Sequence, residues 1–302
     1  MRIGVDVGGT KIEVLAIDAT GREVLRRRVL TPRGSYAGTL EAIARIVLDA
    51  EAEVGPSSVG IGMPGTISPA TGLVKNANST WLIGRRFGVD LSARLGRELR
   101  LANDANCLAL SEATDGAAAG ASPVFAVILG TGVGGGLVVN GRVVAGANAI
   151  AGEWGHNPVP WPTGAEWPGP PCYCGRTGCI ETLLSGPGLA ADHEGHTGAR
   201  SDALTIAAAA EAGDGPATRT LERYEERLAR ALAAVINIVD PEVIVLGGGL
   251  SNVSRLYDRV PTIWPRYVFS DRVDTRLVRA AHGDSSGVRG AAWLWEEVPV
   301  RR

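Results

Sequence analysis

An apolar strand, a glycine-rich turn and a second apolar strand occur twice in this chain, at 2–17 and again at 124–144. In the first copy RIGVDV (2–7) leads through Gly8-Gly9 into TKIEVLAI (10–17). In the second VFAVIL (124–129) leads through GTGVGGG (130–136) into LVVNGRVVAG (137–146), which contains an Asn-Gly turn. Two β runs around paired glycines specify a hairpin, because glycine reaches the backbone angles that a tight antiparallel turn demands. The repeat predicts an internal duplication with one unit per domain. At 302 residues the chain is long enough for two such domains.

Helical and strand patterns alternate around the hairpins. TLEAIARIVLDAEAEV (39–54) places Leu40, Ile43, Ile46 and Val47 on one helical face, and DLSARLGREL (90–99) predicts a second helix. NDANCLALSEATDGAAAG (103–120) opens with capping residues and continues with helix formers. ATRTLERYEERLARALAAVINIVD (217–240) is strongly amphipathic, with Leu221, Tyr224, Leu228, Leu232, Val235 and Val239 in one stripe. VIVLGGGLS (243–251) predicts a buried strand running into glycines, and GVRGAAWLW (287–295) a closing helix. The class is α/β. WPTGAEWPGPP (161–171) has no periodicity and is expected to form an irregular loop.

A formal charge of −2 gives no electrostatic footprint for nucleic acid. The opening MRIGVDVGG lacks a basic-then-apolar leader, and no apolar run reaches the length of a membrane span, so a cytoplasmic protein is expected. Only Lys11 and Lys75 are lysines, and both lie in polar, Gly- or Asn-rich stretches.

Three of the four cysteines crowd into CYCGRTGC (172–179). In a reducing compartment such a cluster reads as metal ligands, not disulfides. Cys172, Cys174 and Cys179 supply three soft donors, and structural zinc needs a fourth. His156 precedes the cluster by 16 residues. His193 and His196, in DHEGH, are expected to be solvated, His282 to be a loop residue and Cys107 an ordinary core thiol. With four protein ligands the zinc has no open position, so its role is to fold the loop and fix its polar side chains.

Three glycine turns follow apolar strands: Gly8-Gly9-Thr10-Lys11, Gly130-Thr131-Gly132 and Gly247-Gly248-Gly249. Glycine lets backbone N–H groups approach an anion, and a threonine hydroxyl adds a donor. With Asp6 just before the first turn, the set points to a nucleotide site. The Walker A pattern is absent. Residues 130–135 match G-x-G-x-x-G with Glu153 downstream, but a dinucleotide fingerprint must open a helix, and here strand continues.

DVGGTK (6–11), GTGVGGG (130–136) and VLGGG (245–249) resemble the nucleotide-gripping segments of the actin-like sugar kinases. GEWGHNP (152–158) followed by CYCGRTGCIE (172–181) resembles the signature of the ROK family within that fold. NANSTWL (76–82), NDANC (103–107) and CIET (179–182) most resemble its bacterial fructokinase/mannokinase branch.

The resemblance implies a two-domain actin-like ATPase fold, that is, a duplicated ribonuclease H-like fold. The small domain would cover 1–116, joined by a C-terminal helix at 288–302. The large domain would cover 117–287 and carry the zinc loop. The family pattern selects His156 as the fourth zinc ligand. The implied reaction is ATP-dependent phosphorylation of a free hexose at its 6-hydroxyl, with fructose first and mannose second. Asp104 would be the base. Gly65, Asn78, Asn103, Glu153, His156 and Glu181 would line the sugar. Asp6 would position Mg²⁺, and Gly8, Gly9, Thr10, Lys11, Gly130, Thr131 and Gly132 would hold phosphates. Gly247, Gly248 and Gly249 would pass the adenosine. A homodimer is implied by the resemblance alone.

Within the family the alternatives are a glucokinase or an N-acylmannosamine kinase. Outside enzymes, the family includes sugar-responsive transcriptional regulators. Those carry an N-terminal helix-turn-helix, and none is expected here, because the first phosphate turn begins at Gly8. A sugar-binding protein without turnover is disfavoured by the intact base, metal and phosphate positions.

Overall fold

Gly8 closes the first hairpin: its amide donates to the Lys11 carbonyl at 2.9 Å, and a Cβ there would lie 2.9 Å from that same oxygen. The turn joins β1 (Arg2–Val7) to β2 (Lys11–Ile17), paired antiparallel from Arg2↔Ile17 to Val7↔Ile12. The computed structural model describes residues 1–283 and 286–295. After β2 come β3 (Glu23–Leu30), α1 (Tyr36–Val54), β4 (Ser58–Met63), β5 (Thr66–Ile67), β6 (Val74–Lys75), α2 (Phe87–Leu95), β7 (Arg100–Asn103) and α3 (Asp104–Thr114). The chain continues through β8 (Val124–Leu129), β9 (Val133–Val139), β10 (Arg142–Val143), α4 (Ile180–Leu184), α5 (Gly186–Thr197) and α6 (Ala203–Glu211). It ends with α7 (Gly215–Val239), β11 (Val243–Gly247), α8 (Arg255–Ile263), β12 (Arg276–Arg279) and α9 (Ser286–Trp293).

The duplication is visible in the sheets. Both have five strands, ordered β3-β2-β1-β4-β7 and β10-β9-β8-β11-β12. In the first, β1–β3 form an antiparallel meander, and β4 and β7 run parallel to β1. In the second, β9 and β10 are antiparallel, while β11 runs parallel to both β8 and β12. The repeated hairpin thus begins the same strand order twice, and the α/β duplicated fold is the observed one.

The chain divides into two compact units. One comprises Met1–Gly120, Gly136–Ala151 and α9; the other comprises Ala121–Gly135 and Gly152–Gly283. The expected large domain, 117–287, is larger than the second unit: residues 117–120 and Gly136–Ala151 group with the first. Of the expected helix 288–302, α9 covers the start, and residues 296–302 lie outside those described.

In the first unit Ile3, Val5, Ile12, Val14 and Ile61 are fully buried, and the predicted face of α1 closes over them with Ile43 and Val47. Helix α9 comes close against the sheet backbone. A Cβ on Gly4 would lie 2.0 Å from the Val288 carbonyl oxygen, and one on Gly60 would lie 1.9 Å from that of Ala291. Only glycine fits where a helix backbone meets a strand this closely.

In the second unit α7 begins two residues before the expected range, capped by Asp214, whose carboxylate accepts from the Ala217 amide at 2.8 Å. Leu221, Tyr224, Leu228 and Leu232 are buried as the periodicity requires. The DHEGH stretch is not solvated throughout. It lies in α5, where His193 is 7% exposed and its Nδ1 is 3.0 Å from Thr220 Oγ1 on α7. His196 remains exposed and bonds the Asp192 carbonyl. Glycine, alanine and histidine give α5 little apolar contrast, so its helical pattern is muted in sequence.

Candidate functional site

In the first unit the carboxylates of interest stand at the ends of β1 and β7. Asp6 is the penultimate residue of β1, and its surroundings are kept narrow by glycines: Cβ atoms on Gly62 and Gly287 would come within 3.6 and 3.7 Å of its carboxylate. Burial, then the charge of Asp104, then that of Glu13, push the Asp6 carboxyl up to about 7; Lys11 opposes them. Glu13 itself is buried opposite Asp6 in the ladder and is held by Arg26 and Arg28.

Asp104 is the first residue of α3, but it is not the cap. Asn103 holds that position: its side-chain oxygen accepts from the Ala105 amide at 2.9 Å and its Nδ2 donates to the Gly65 carbonyl at 3.2 Å. Asp104 Oδ1 also accepts from the Ala105 amide at 2.8 Å. Asn103 is therefore the cap of α3, and Asp104 shares its amide donor.

Gly65 adopts φ +70°, and a Cβ there would lie 2.3 Å from the Lys75 carbonyl oxygen, so the chain's own turn demands glycine. Asn78 is exposed. Its neighbour Ser79 is 2% exposed and its Oγ has no hydrogen-bond partner among the described residues. That oxygen lies 3.8 Å from where a Gly9 Cβ would be, which places a spare hydroxyl beside the first glycine turn. Lys11 is 45% exposed and 4.0 Å from Glu13, while Lys75 donates to the Asn148 carbonyl at 2.8 Å. Thr10 is exposed at the hairpin.

One prediction arises from Asp6. A carboxyl raised from its ordinary value contributes stability that is complete below that ordinary value and is lost as pH climbs through about 7. Asp6→Asn is therefore expected to be more stable than the parent at pH 8 without Mg²⁺, by on the order of 2–4 kcal/mol, with the difference vanishing toward pH 4. Thermal unfolding across that range checks it; equal melting at pH 8 would contradict the burial argument.

In the second unit the Gly130-Thr131-Gly132 turn is tight, with the Gly130 amide on the Gly132 carbonyl at 3.0 Å. A cavity of about 460 Å³ opens beside it, lined by Gly130, Thr131, Gly186, Pro187, Leu204 and Gly249. Gly248, at φ +81°, serves another purpose: a Cβ there would lie 2.5 Å from the Leu129 carbonyl oxygen. Of the expected phosphate and adenosine glycines in this unit, Gly130 and Gly249 line the cavity, whereas Gly132, Gly247 and Gly248 do not. Gly186, Pro187 and Leu204 come from α5 and α6, whose glycine-, histidine- and alanine-rich sequences carry no helical contrast that points to them.

Glu181, near the start of α4, reaches back to this turn. Its Oε2 accepts from the Val133 amide at 2.9 Å, and a Cβ on Gly132 would lie 2.5 Å from it. The 152–156 segment is pinned nearby by Trp154, whose Nε1 donates to the Gly134 carbonyl at 3.0 Å and whose ring meets Phe125 edge-on at 5.9 Å. Gly155 lets this segment lie on β9, since a Cβ would fall 2.1 Å from the Val133 carbonyl oxygen. Glu153 and His156 flank that anchor on a single 3-10 turn, both partly buried.

The structure brings His156, Cys172, Cys174 and Cys179 together, with one ligand atom from each within 4.8 Å of all the others. Cys172 Sγ is 3.6 Å from His156 Nδ1, and Cys174 Sγ is 3.6 Å from Cys179 Sγ. A disulfide needs about 2.05 Å. A tetrahedron with metal–sulfur bonds of about 2.3 Å has edges near 3.7 Å. The donor set and its spacing fit zinc. Glycine lacing has a local cause here: Gly175 and Gly178 adopt φ of +86° and +65° to fold the ligands inward. Burial pushes the Cys179 thiol up to about 12, so a cation must displace its proton. Tyr173, between two ligands, places its hydroxyl 3.0 Å from His156 Nε2. Cys107 is a fully buried thiol of the first unit.

A family model described as "ROK family" matches residues 2–298. The chain belongs to the ROK family. It is 42% identical over 299 residues to N-acetyl-D-glucosamine kinases of Salmonella paratyphi C and Pectobacterium atrosepticum, covering 97% of this chain and 99% and 98% of theirs. Among solved ROK structures, a hexokinase from Thermus thermophilus superposes with TM-score 0.85 at 31% identity, covering 97% of both chains. A ROK glucokinase from Streptomyces griseus, in complex with glucose and AMPPNP, superposes with TM-score 0.78 at 27% identity, covering 97% of this chain and 98% of that one. These relatives are sugar kinases, as the ROK motifs implied.

Proposed function

We propose that this ROK protein transfers the γ-phosphoryl group of MgATP to the 6-hydroxyl of N-acetylglucosamine. The observation that carries the reading is identity of 42% along the full length of kinases named for that sugar. It displaces fructose as first substrate. NANSTWL, NDANC and CIET supply amides and carboxylates that would bind hydroxyls common to many hexoses, so these motifs mark a sugar kinase without choosing its sugar.

The residues fall into roles that their chemistry supports. Asp104 takes the proton of the attacking hydroxyl, and its place at the C-terminal end of a strand is where α/β sheets present such groups. Asn103, Asn78, Glu153, His156 and Glu181 bind and orient the sugar, with Gly65 fixing Asn103 through its carbonyl. Gly8, Gly9, Thr10 and Thr131 offer donors to the phosphates, and Lys11 adds charge. Asp6 faces the Mg²⁺ that arrives with ATP, a hard cation that prefers oxygen ligands. The cavity beside Gly130 and Gly249 takes the adenosine. His156, Cys172, Cys174 and Cys179 would hold zinc, whose chemistry here is to fix the loop. Assembly as a homodimer belongs to the same reading, through the family resemblance.

A panel of N-acetylglucosamine, N-acetylmannosamine, glucose, mannose and fructose, with ADP formation as readout, tests the choice of sugar. N-acetylglucosamine is expected to lead in kcat/KM by at least ~10-fold, the discrimination available to a pocket that binds the extra acetamido group. Fructose or glucose in first place would overturn it.

A further inference from the structure

The irregular 161–171 loop contains a single 3-10 turn, at Gly164–Glu166, yet it is fastened by buried charge. Glu166 is 6% exposed. Its Oε1 accepts from Arg227 Nε at 2.7 Å and from Arg230 Nη2 at 2.9 Å. Its Oε2 accepts from the same Arg230 nitrogen at 2.9 Å and from the Thr163 amide at 2.8 Å. Arg230 Nη1 donates to the carbonyls of Pro160 and Trp161. Arg227 continues to Asp192 on α5 through Nη1 at 2.7 Å, and Arg223 meets the other Asp192 oxygen. Arg223, Arg227 and Arg230 share one face of α7.

Such a network is a poor source of stability, because apolar side chains of similar volume usually do as well. What it supplies is one fixed conformation for a segment that has no apolar periodicity. The segment beyond Glu166 is the backing of the metal loop. The Gly178 amide donates to the Pro170 carbonyl at 2.8 Å, and its carbonyl accepts from the Val159 amide at 3.0 Å. A Cβ on Gly178 would lie 2.6 Å from the Pro168 carbonyl oxygen, and one on Gly169 would lie 2.6 Å from Gly178 Cα. Gly178 is followed directly by Cys179 and α4, which carries Glu181.

We propose that Glu166, Arg227 and Arg230 are positioning residues that brace 159–171 against Gly178, and so hold the Cys179 thiol and the Glu181 carboxylate in register. The sugar half of this inference rests on the kinase reading; the metal half does not.

The test compares Glu166→Gln, which keeps shape and drops charge, with Asp192→Asn at the far end of the same network. Three quantities are read: the rate at which a chromophoric chelator takes zinc from the loaded protein, KM for the best sugar and KM for MgATP. Glu166→Gln is expected to speed zinc release at least ~10-fold, as loss of outer support does in metal sites. It should raise the sugar KM at least ~10-fold and leave the MgATP KM within about twofold. Asp192→Asn should stay near the parent in all three. Should Glu166→Gln fold poorly, Arg230→Lys keeps the charge while losing the fork, and the same pattern is expected. Parent-like zinc release and sugar KM in a folded variant, or equal changes in Asp192→Asn, would overturn the proposal. If the parent phosphorylates no sugar, the kinase reading fails and the zinc-release rate decides the brace alone.

Discussion

Asp104→Asn is expected to fold like the parent and to lose at least ~10²-fold in kcat, the usual worth of a positioned base. The fold should survive because Asn103 already caps α3 through the Ala105 amide, and an asparagine at 104 keeps an oxygen for the same donor. Removing a carboxylate from the first turn costs about 0.3–1 kcal/mol of helix-dipole energy. Sugar KM should change far less than kcat, since proton transfer and not binding is lost. There is a second, independent readout. The Asp104 charge helps to raise the Asp6 carboxyl, so the Asp6 titration should fall in this variant. Turnover near the parent value, measured with saturating sugar and MgATP, would remove Asp104 from the reaction.

The second large effect concerns the metal. Cys179→Ser is expected to abolish stoichiometric zinc and to lower sugar phosphorylation at least ~10²-fold. Cys179 is 1% exposed and immediately precedes α4, so as a zinc ligand its thiolate would tie the metal to the helix that carries Glu181. A serine hydroxyl is a far weaker zinc ligand than a thiolate. The loop has few apolar contacts of its own: Trp161, Trp167 and Tyr173 are 49%, 71% and 80% exposed. Without the metal, little but the Glu166 network would hold it. Because metal binding energy is also folding energy, the melting temperature should drop by at least ~5 °C. Elemental analysis and thermal unfolding check both parts; a variant that keeps one equivalent of zinc and parent activity would contradict the assignment.

How much of this was legible depended on which physical signal each segment carried. The hairpins announced themselves because a tight turn needs glycine at fixed places and buried strands need unbroken apolar runs. Their repetition was enough to anticipate two sheets of the same strand order. Helix α7 was legible because its buried stripe contrasts with a charged face. Helices α5 and α6 were not: one is rich in glycine and histidine, the other mostly alanine, and neither offers contrast. Their absence hid Gly186, Pro187 and Leu204 from the cavity. The cysteine cluster was legible from the chemistry and spacing of its side chains, whereas His156 came from the family pattern, and the structure brings all four together. Glu166 was hidden for the opposite reason. A glutamate in a proline-rich loop gives no hint that two arginines, 61 and 64 residues away, will bury it. Gly4, Gly60 and Gly290 were equally silent, since their need for a missing side chain comes from partners distant in sequence.

This chain is expected to move phosphate from ATP to the 6-hydroxyl of N-acetylglucosamine. Phosphorus-31 NMR of the purified protein with MgATP and that sugar tests it most directly. The expected spectrum gains one phosphomonoester resonance, coupled to the C6 methylene protons and growing in step with ADP. Loss of ATP to inorganic phosphate alone, or a phosphoester coupled to any other sugar carbon, would contradict the account.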